Sequence, residues 1–417
     1  MPRFAHMSDI HIGAFRQPEL RELVLRAFEL AVDRCLEEKV EFIIFAGDIF
    51  DSNIPDLYSV RRAASKMRQA VEAGVRIYAI YGSHDFSPNY SSIVDVLDSA
   101  GLFTKAEDMA GKDGVVSLRF VQDPSGPKLC GISGRKLSLD SDMYASLDKE
   151  PLESEPGFKI FVFHGAIEEL RPPALEMMKA MPASNLPSGF QYYAGGHLHR
   201  KSLASLPGRE NISYPGPLFA TDYLELLEIA DGDRRGFCIV DFDESRVTKV
   251  NFIPIQVCDV TELRYLADGK TPSEVESGLL ELAQESDLEG KVVLLSVEGR
   301  LREGKTSDID FSSVKKKFLG RRPLIVLPNY SHLSSVTLSA PPGPLKPSHD
   351  IERDTFVKNM SRVKSSEGSL LGDHGVGIAM GLLTALKQGK KENENRGDFE
   401  ERTAKAGFGV LGLKEED

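Results

Sequence analysis

The sequence predicts an α/β protein in which two sheets pack face to face between helices, followed by a small α/β domain and a helical C-terminal tail. Three observations carry that prediction. Short apolar runs alternate with amphipathic segments up to residue 81, strand-like runs crowd together between residues 128 and 255, and a proline-rich stretch precedes the last part of the chain.

Residues 4–7 read as a strand. Leu20, Leu23, Val24, Ala27, Phe28 and Ala31 then recur at three- and four-residue spacing, which is one buried face of a helix. Residues 42–46 form the next strand, Leu57, Val60, Ala64, Met67 and Val71 mark a second helix, and residues 76–81 a third strand. That order predicts a parallel sheet covered by helices. Beyond a loop-rich stretch at 104–128, runs at 128–132, 159–163, 191–194, 212–214, 236–242 and 247–255 predict the second sheet. From about residue 257 the pattern restarts with a helix at 272–285, a strand at 291–297, a basic helix at 312–319 and a strand at 324–326.

These boundaries divide the chain into a catalytic domain at 1–257, a small domain at 258–340, a proline-rich linker at 341–349 and a tail at 350–417. Proline fixes φ and removes a donor, so the linker is semi-rigid. In the tail, Phe356, Met360 and Val363 form one apolar stripe and Ala379, Leu382, Leu383 and Leu386 a second; a polar spacer at 388–396 leads to a final segment at 398–413.

With 417 residues and 41% hydrophobic content the chain can build a large core, and chains longer than about 250–300 residues divide into domains. The opening residues show no signal-like apolar region, and no run approaches the roughly 18–20 residues of a membrane span, so a cytoplasmic protein without a membrane partner is expected. Cys35, Cys130, Cys238 and Cys258 lie far apart. They read as reduced and mostly buried rather than as a disulfide or zinc set. A net charge of -12 argues against non-specific coating of nucleic acid and leaves a local basic groove open.

Five short motifs stand at the ends of five strand-like runs, where an α/β sheet presents ligands to a crevice. They are Asp9-Ile10-His11, Gly47-Asp48, Gly82-Ser83-His84-Asp85, His164-Gly165 and Gly196-His197-Leu198-His199. Each alone reads as an ordinary strand-end turn. Together they hold five of the nine histidines, and every motif carries a glycine or an acid. Carboxylates and imidazoles without thiolate suit manganese, iron or zinc. A shared aspartate can bridge two ions about 3.5–4 Å apart, an arrangement suited to phosphate ester hydrolysis.

In these motifs the chain resembles the calcineurin-like metallophosphoesterase superfamily, whose pattern runs D-x-H, G-D, G-N-H-[DE], H and G-H-x-H. Ser8 to Gly13, Ala46 to Asp51 and the run Tyr214-Pro215-Gly216-Pro217-Leu218 narrow the resemblance to the SbcD-type nucleases of DNA double-strand-break repair. The resemblance implies a manganese-dependent DNA nuclease, exonucleolytic on duplex ends and endonucleolytic on single strands. It implies that Asp9, His11 and His199 hold one metal, that Asp48 bridges, and that Ser83, His164 and His197 complete the second. His84 would act as general acid or transition-state stabiliser, with Asp85 orienting it. Ser83 departs from the pattern's asparagine, whose carbonyl is the better oxygen ligand.

The same resemblance implies a homodimer formed through helices near 57–71 and 90–99, and a tail that docks on an SMC-like, ABC-type coiled-coil ATPase. The ATPase would use the ATP, since the chain lacks a G-x-x-x-x-G-K-[ST] loop. A cytoplasmic, nucleoid-associated protein follows. Lys315, Lys316 and Lys317 with Arg321 and Arg322 could hold a DNA backbone, as could Arg200 and Lys201 or Arg61 and Arg62, although charge runs are commonly solvated faces. Two alternatives stay open: a small-molecule phosphodiesterase of the same superfamily, and a catalytically weak DNA-end-binding scaffold whose metal site is impaired at Ser83.

Overall fold

The computed structural model describes residues 1–86, 92–110, 114–135, 141–335, 348–360, 372–391, 394 and 396–412. The first elements are β1 (Arg3–Met7), α1 (Pro18–Glu37), β2 (Phe42–Ala46), α2 (Leu57–Glu72), β3 (Arg76–Ile80), α3 (Ile93–Ser99) and β4 (Thr104–Lys105). Next come β5 (Val121–Gln122), β6 (Lys128–Ile132), α4 (Ser141–Ala145), α5 (Glu150–Ser154), β7 (Lys159–His164), β8 (Tyr192–Gly196), β9 (Ser202–Leu206) and β10 (Arg209–Tyr214). They are followed by α6 (Tyr223–Ala230), β11 (Gly236–Phe242), β12 (Val247–Pro254), β13 (Val260–Leu266), α7 (Pro272–Glu285), β14 (Val292–Arg300) and α8 (Phe311–Leu319). After β15 (Ile325–Asn329) and β16 (Leu333–Ser334), the helices α9 (Ser348–Met360), α10 (Gly372–Leu386) and α11 (Arg396–Leu411) complete the order.

Two six-stranded sheets form the body, in the orders β12-β11-β1-β2-β3-β4 and β5-β6-β7-β8-β10-β9. The central strands β1, β2 and β3 are mutually parallel, as are β6, β7, β8 and β10. Alternate side chains of a strand face opposite ways, and the apolar runs sort accordingly. Phe42, Ile44 and Ala46 of β2 join Phe4, Tyr78, Ile160, Val162, Tyr192 and Ala194 in the layer between the sheets. Ile43 and Phe45 face the other way and pack under the helices with Leu20, Val24, Phe28, Ala63 and Met67. A strand buried on both faces loses the polar alternation, which is why β2 reads as a continuous Phe-Ile-Ile-Phe-Ala run. The inter-sheet layer also takes in His6, fully buried with Nδ1 3.0 Å from the Tyr192 hydroxyl; burial pushes its pKa down to about 3 and keeps it neutral.

Residues 1–336 form one compact unit, and the segment after β12 opens on a strand that periodicity did not disclose. In β13, Val-Thr-Glu-Leu-Arg-Tyr-Leu interleaves charged residues with half-buried apolar ones, so no continuous run marks it. It pairs in parallel with β14, and β14 with β15, while α7 and α8 cover one face through Val275, Leu279, Val314 and Phe318. Val292 and Leu294 of β14 point to the other face and extend the core of the first sheet. The short helix α6 is likewise absent from the sequence reading.

Residues 337–417 form a separate unit, in which α10 packs against both α9 and α11. A Cβ on Gly381 of α10 would crowd Val410, so the α10–α11 contact is close. Phe356 and Met360 are half-buried on α9, whereas Ile351, Val357, Leu386, Phe408 and Leu411 are exposed. The linker at 341–347, Val363 and residues 413–417 lie outside the described residues. No described helix is long and apolar enough to cross a membrane.

Phe42 is fully buried, stacks on Phe4 with centroids 5.0 Å apart and meets Tyr78 edge-on. Phe42→Ala should therefore lower unfolding stability by about 3–5 kcal/mol, read as a drop in denaturant midpoint with the slope unchanged.

Candidate metal centre

The strands β1, β2 and β3 of one sheet and β7 and β8 of the other end at a common edge. The proof is a hydrogen bond between sheets: His164, the last residue of β7, donates from Nδ1 to the carbonyl of Ala46, the last residue of β2, at 2.8 Å. Past the strands the two loops of the first sheet remain tied, with Asp9 N on Gly47 O at 3.1 Å and His11 N on Asp48 O at 2.9 Å. Their side chains turn inward because the backbone turns left-handed. Asp9, His11, Asp48 and His197 have φ of 51°, 48°, 51° and 90°, four of the eight non-glycine residues with positive φ among those described. Such conformations cost about 1–3 kcal/mol each and cluster at functional sites.

Donor atoms converge in three overlapping triads: Asp9, His11 and His199; His11, Asp48 and His84; and Asp9, Asp48 and His164, each lying within 4.8 Å. Within them, Asp48 Oδ2 lies 3.2 Å from His164 Nε2 and 3.7 Å from His11 Nε2, while Asp48 Oδ1 accepts the His84 backbone N–H at 2.8 Å. His11 Nε2 and His199 Nε2 face each other at 3.3 Å. His197 stands next to His164, ring centroids 5.4 Å apart, and its backbone N–H goes to Asp9 Oδ1 at 2.8 Å. Ser83 sits between Gly82, whose N–H meets Asp85, and His84, whose N–H meets Asp48, which puts it on the rim of the same cluster.

The residues fit divalent ions. Among the described residues, His164 Nε2 and His11 Nδ1 are buried without a hydrogen-bond partner although each faces a carboxylate, and Asp9 and Asp48 each belong to two triads, so a carboxylate could bridge two ions. Buried polar nitrogens left in that state mark an absent partner. The donors are carboxylates and imidazoles only, the set for manganese, iron or zinc; Cys35, Cys130, Cys238 and Cys258 are free thiols that take no part in the triads.

Electrostatics point the same way. Burial would raise the Asp48 carboxyl, but His164, His11 and His84 hold it well below the usual range. Burial would depress His164, yet the Asp48 charge outweighs it and lifts the imidazole to about 10. His199 goes up to about 9 because the Glu225 hydrogen bond overcomes burial. His197 falls to about 4 through burial and the neighbouring His164. The cluster thus binds protons where it would bind cations.

Two assignments from sequence are corrected. Asp85 does not reach His84: it is fully buried and accepts backbone N–H groups from Ile49 at 3.1 Å, Phe50 at 3.0 Å and Gly82 at 3.0 Å. It therefore clamps the Asp48 loop to the Ser83 loop, and burial with the Asp48 charge pushes it up to about 6. Arg62 is not free for a phosphate either, since its guanidinium forks onto Glu29 at 2.8 and 2.7 Å and reaches Glu22 at 3.2 Å. Arg200 pairs with Glu228 at 3.3 Å, and Lys201 lies over the Phe252 ring at 4.5 Å.

Sequence reasoning missed Asp51 and Glu225. Asp51 accepts His84 Nδ1–H through its backbone carbonyl at 2.8 Å, and its carboxylate lies 3.2 Å from His11 Nδ1. His11 holds that carboxyl below its usual range. Glu225 takes His199 Nδ1 at 2.7 Å and is held down to about 2. Asp51 was visible only as the end of the Asp48 motif; Glu225, 26 residues beyond His199 in a helix with no motif, left no signal.

Comparison with known proteins agrees with this geometry. The profile of the family described as calcineurin-like phosphoesterase matches residues 2–201. The chain is similar to the DNA double-strand break repair protein Mre11 of Archaeoglobus fulgidus, 25% identical over 311 residues, 70% of this chain and 67% of that one. It is similar to the protein of the same name from Methanococcus maripaludis, 27% identical over 285 residues, 65% of this chain and 70% of that one. The counterpart from Methanocaldococcus jannaschii is 25% identical over 336 residues, 78% of this chain and 82% of that one. With two packed sheets presenting this donor set at their common edge, residues 2–201 form a calcineurin-like phosphoesterase domain, and the chain is a metal-dependent phosphodiesterase similar to the archaeal Mre11 repair proteins.

Proposed function

We propose that this chain is a manganese-dependent DNA nuclease that hydrolyses phosphodiesters in double-strand-break repair, as an exonuclease on duplex ends and an endonuclease on single strands. The observation that carries the reading is the placement of His84: an exposed imidazole at the mouth of a buried donor cluster, its backbone fixed on Asp48 and its ring fixed on Asp51. The names of the archaeal relatives support DNA as the substrate.

In this reading Asp9, His11 and His199 would hold one ion, Ser83, His164 and His197 the other, and Asp48 would serve both. Bound there, the ions would supply Lewis-acid polarisation of the phosphoryl group and activation of water. The chain's own residues do the rest. A carbonyl can only accept, so the Asp51 contact keeps a proton on His84 Nδ1 and leaves Nε2 as the working nitrogen. Protonated there, His84 donates to the departing oxygen of the cut strand. The small domain carries exposed Lys315 and Lys316 on α8, a surface suited to a phosphate backbone. Exposed Leu57 and Tyr58 at the start of α2 suit a homodimer contact, and the apolar residues left open on α9, α10 and α11 suit docking on an SMC-like, ABC-type ATPase. A nucleoid-associated, cytoplasmic location follows from that role.

A manganese-dependent assay on linear duplex DNA tests the reading, with His84→Ala expected to lower the rate by about 10²–10⁴-fold while metal content stays the same. Turnover of a small phosphodiester without DNA cleavage would favour the small-molecule alternative, and inactivity on both the scaffold.

Metal binding should also release protons. His164, lifted to about 10, and His199, lifted to about 9, are protonated at neutral pH and must be neutral to bind. Manganese affinity should therefore rise with pH from neutral to about 9, with up to about two protons released per loaded site. Calorimetry in buffers of different ionisation enthalpy reads this directly, and a pH-independent affinity over that range contradicts it.

A further inference from the structure

We propose that Asp51 and Glu225 are positioning residues that make the metal position bounded by Asp9, His11 and His199 the tighter of the two, so that metal loads there first. This rests on the two-metal reading given above and goes beyond it by ranking the positions.

The ranking comes from what stands behind each imidazole. A ligand histidine bonds a metal through one ring nitrogen, and the partner of the other nitrogen sets its orientation and basicity. His199 Nδ1 is held by Glu225 Oε1 at 2.7 Å. The second Glu225 oxygen accepts the Thr221 backbone N–H at 2.6 Å and hydroxyl at 2.9 Å, so Oε1 faces the imidazole, with Arg235 Nη1 3.8 Å away. Glu225 is itself buried at the start of α6, where Asp222 accepts its backbone N–H at 2.9 Å. Behind His11, the Asp51 carboxylate lies at ion-pair distance, 3.2 Å from Nδ1, without hydrogen-bond geometry. Both imidazoles consequently aim Nε2 at the same point, 3.3 Å apart.

On the other side the backing is weaker. His164 Nδ1 meets only the neutral Ala46 carbonyl, at 2.8 Å. Among the described residues neither His164 nor His197 has a carboxylate behind it in this way. Ser83 adds a neutral hydroxyl where the family pattern carries an amide carbonyl. An anionic partner makes an imidazole a stronger donor than a neutral one does, and losing such a partner costs about ten- to a hundredfold in metal affinity. One histidine hydrogen-bonded to a carboxylate and a second paired with one, against none, separate the positions. Arg235 reinforces the arrangement by donating to the His199 carbonyl at 2.6 Å while pairing with Glu228, which fixes the backbone that carries the ligand.

Calorimetric titration of the metal-free full chain with manganese tests this, comparing the wild type with Asp51→Asn, Glu225→Gln and Ser83→Asn, alongside melting temperatures of the metal-free proteins. The expected result is two affinity classes in the wild type. Asp51→Asn and Glu225→Gln should each weaken the tighter class by about ten- to a hundredfold and spare the weaker one, whereas Ser83→Asn should strengthen only the weaker. Asp51 has a 42% exposed side chain, so its carboxamide variant tests the idea even where Glu225→Gln lowers the melting temperature. A single wild-type class, or two classes unmoved by Asp51→Asn, overturns the ranking. A wild type that binds no manganese overturns the two-metal reading itself.

Discussion

The Asp48 carboxylate is the constraint on which the rest of the site depends. It is almost completely buried, and a buried carboxylate is costly unless cations or donors surround it. The fold supplies them from both sheets: His164 from β7 at 3.2 Å, His11 from the β1 loop at 3.7 Å, and the His84 backbone at 2.8 Å. The approach leaves no room for larger residues, since a Cβ at Gly82 would fall on the Asp48 carboxylate and one at Gly47 on the His164 ring. Gly47 and Gly82 are thus explained by contact distance. The left-handed turns at Asp9, His11, Asp48 and His197 follow strands anchored in an inter-sheet layer where Phe4 stacks on Phe42 and meets Tyr192 edge-on. Stability elsewhere in the fold sustains strain at the edge where chemistry takes place.

Much of this was legible in the sequence, for identifiable reasons. The strands that build the site are buried on both faces, so they read as unbroken apolar runs, and the motif residues follow directly after them. Local order therefore disclosed the donors. What could not be read was the partner of each donor, because those contacts join distant segments. Asp85 looked like the natural neighbour of His84, yet its buried carboxylate is drawn to three unpaired backbone N–H groups across the cluster, at Ile49, Phe50 and Gly82. Arg62 looked free, but α1 offers it Glu29 and Glu22. The strand β13 went unseen because its half-buried face is interleaved with charge.

The same distinction orders the function. Donor identity assigns the chemistry to metal-dependent phosphodiester hydrolysis. The partners behind the donors determine how the two halves differ: Glu225 and Asp51 stand behind one pair of histidines, and a neutral carbonyl behind His164. In the two-metal reading Ser83 falls on the less supported half, and a site built this way would hold one ion more tightly than the other.

The central claim is that Asp48 lies between two metal ions at the common edge of the sheets. Crystals grown with manganese and measured at its absorption edge test it most directly. The account predicts two anomalous peaks flanking Asp48, about 3.5–4 Å apart, one against His11 and His199 and the other against His164 and His197. A single peak not touching Asp48, or peaks only at surface carboxylates, would contradict it.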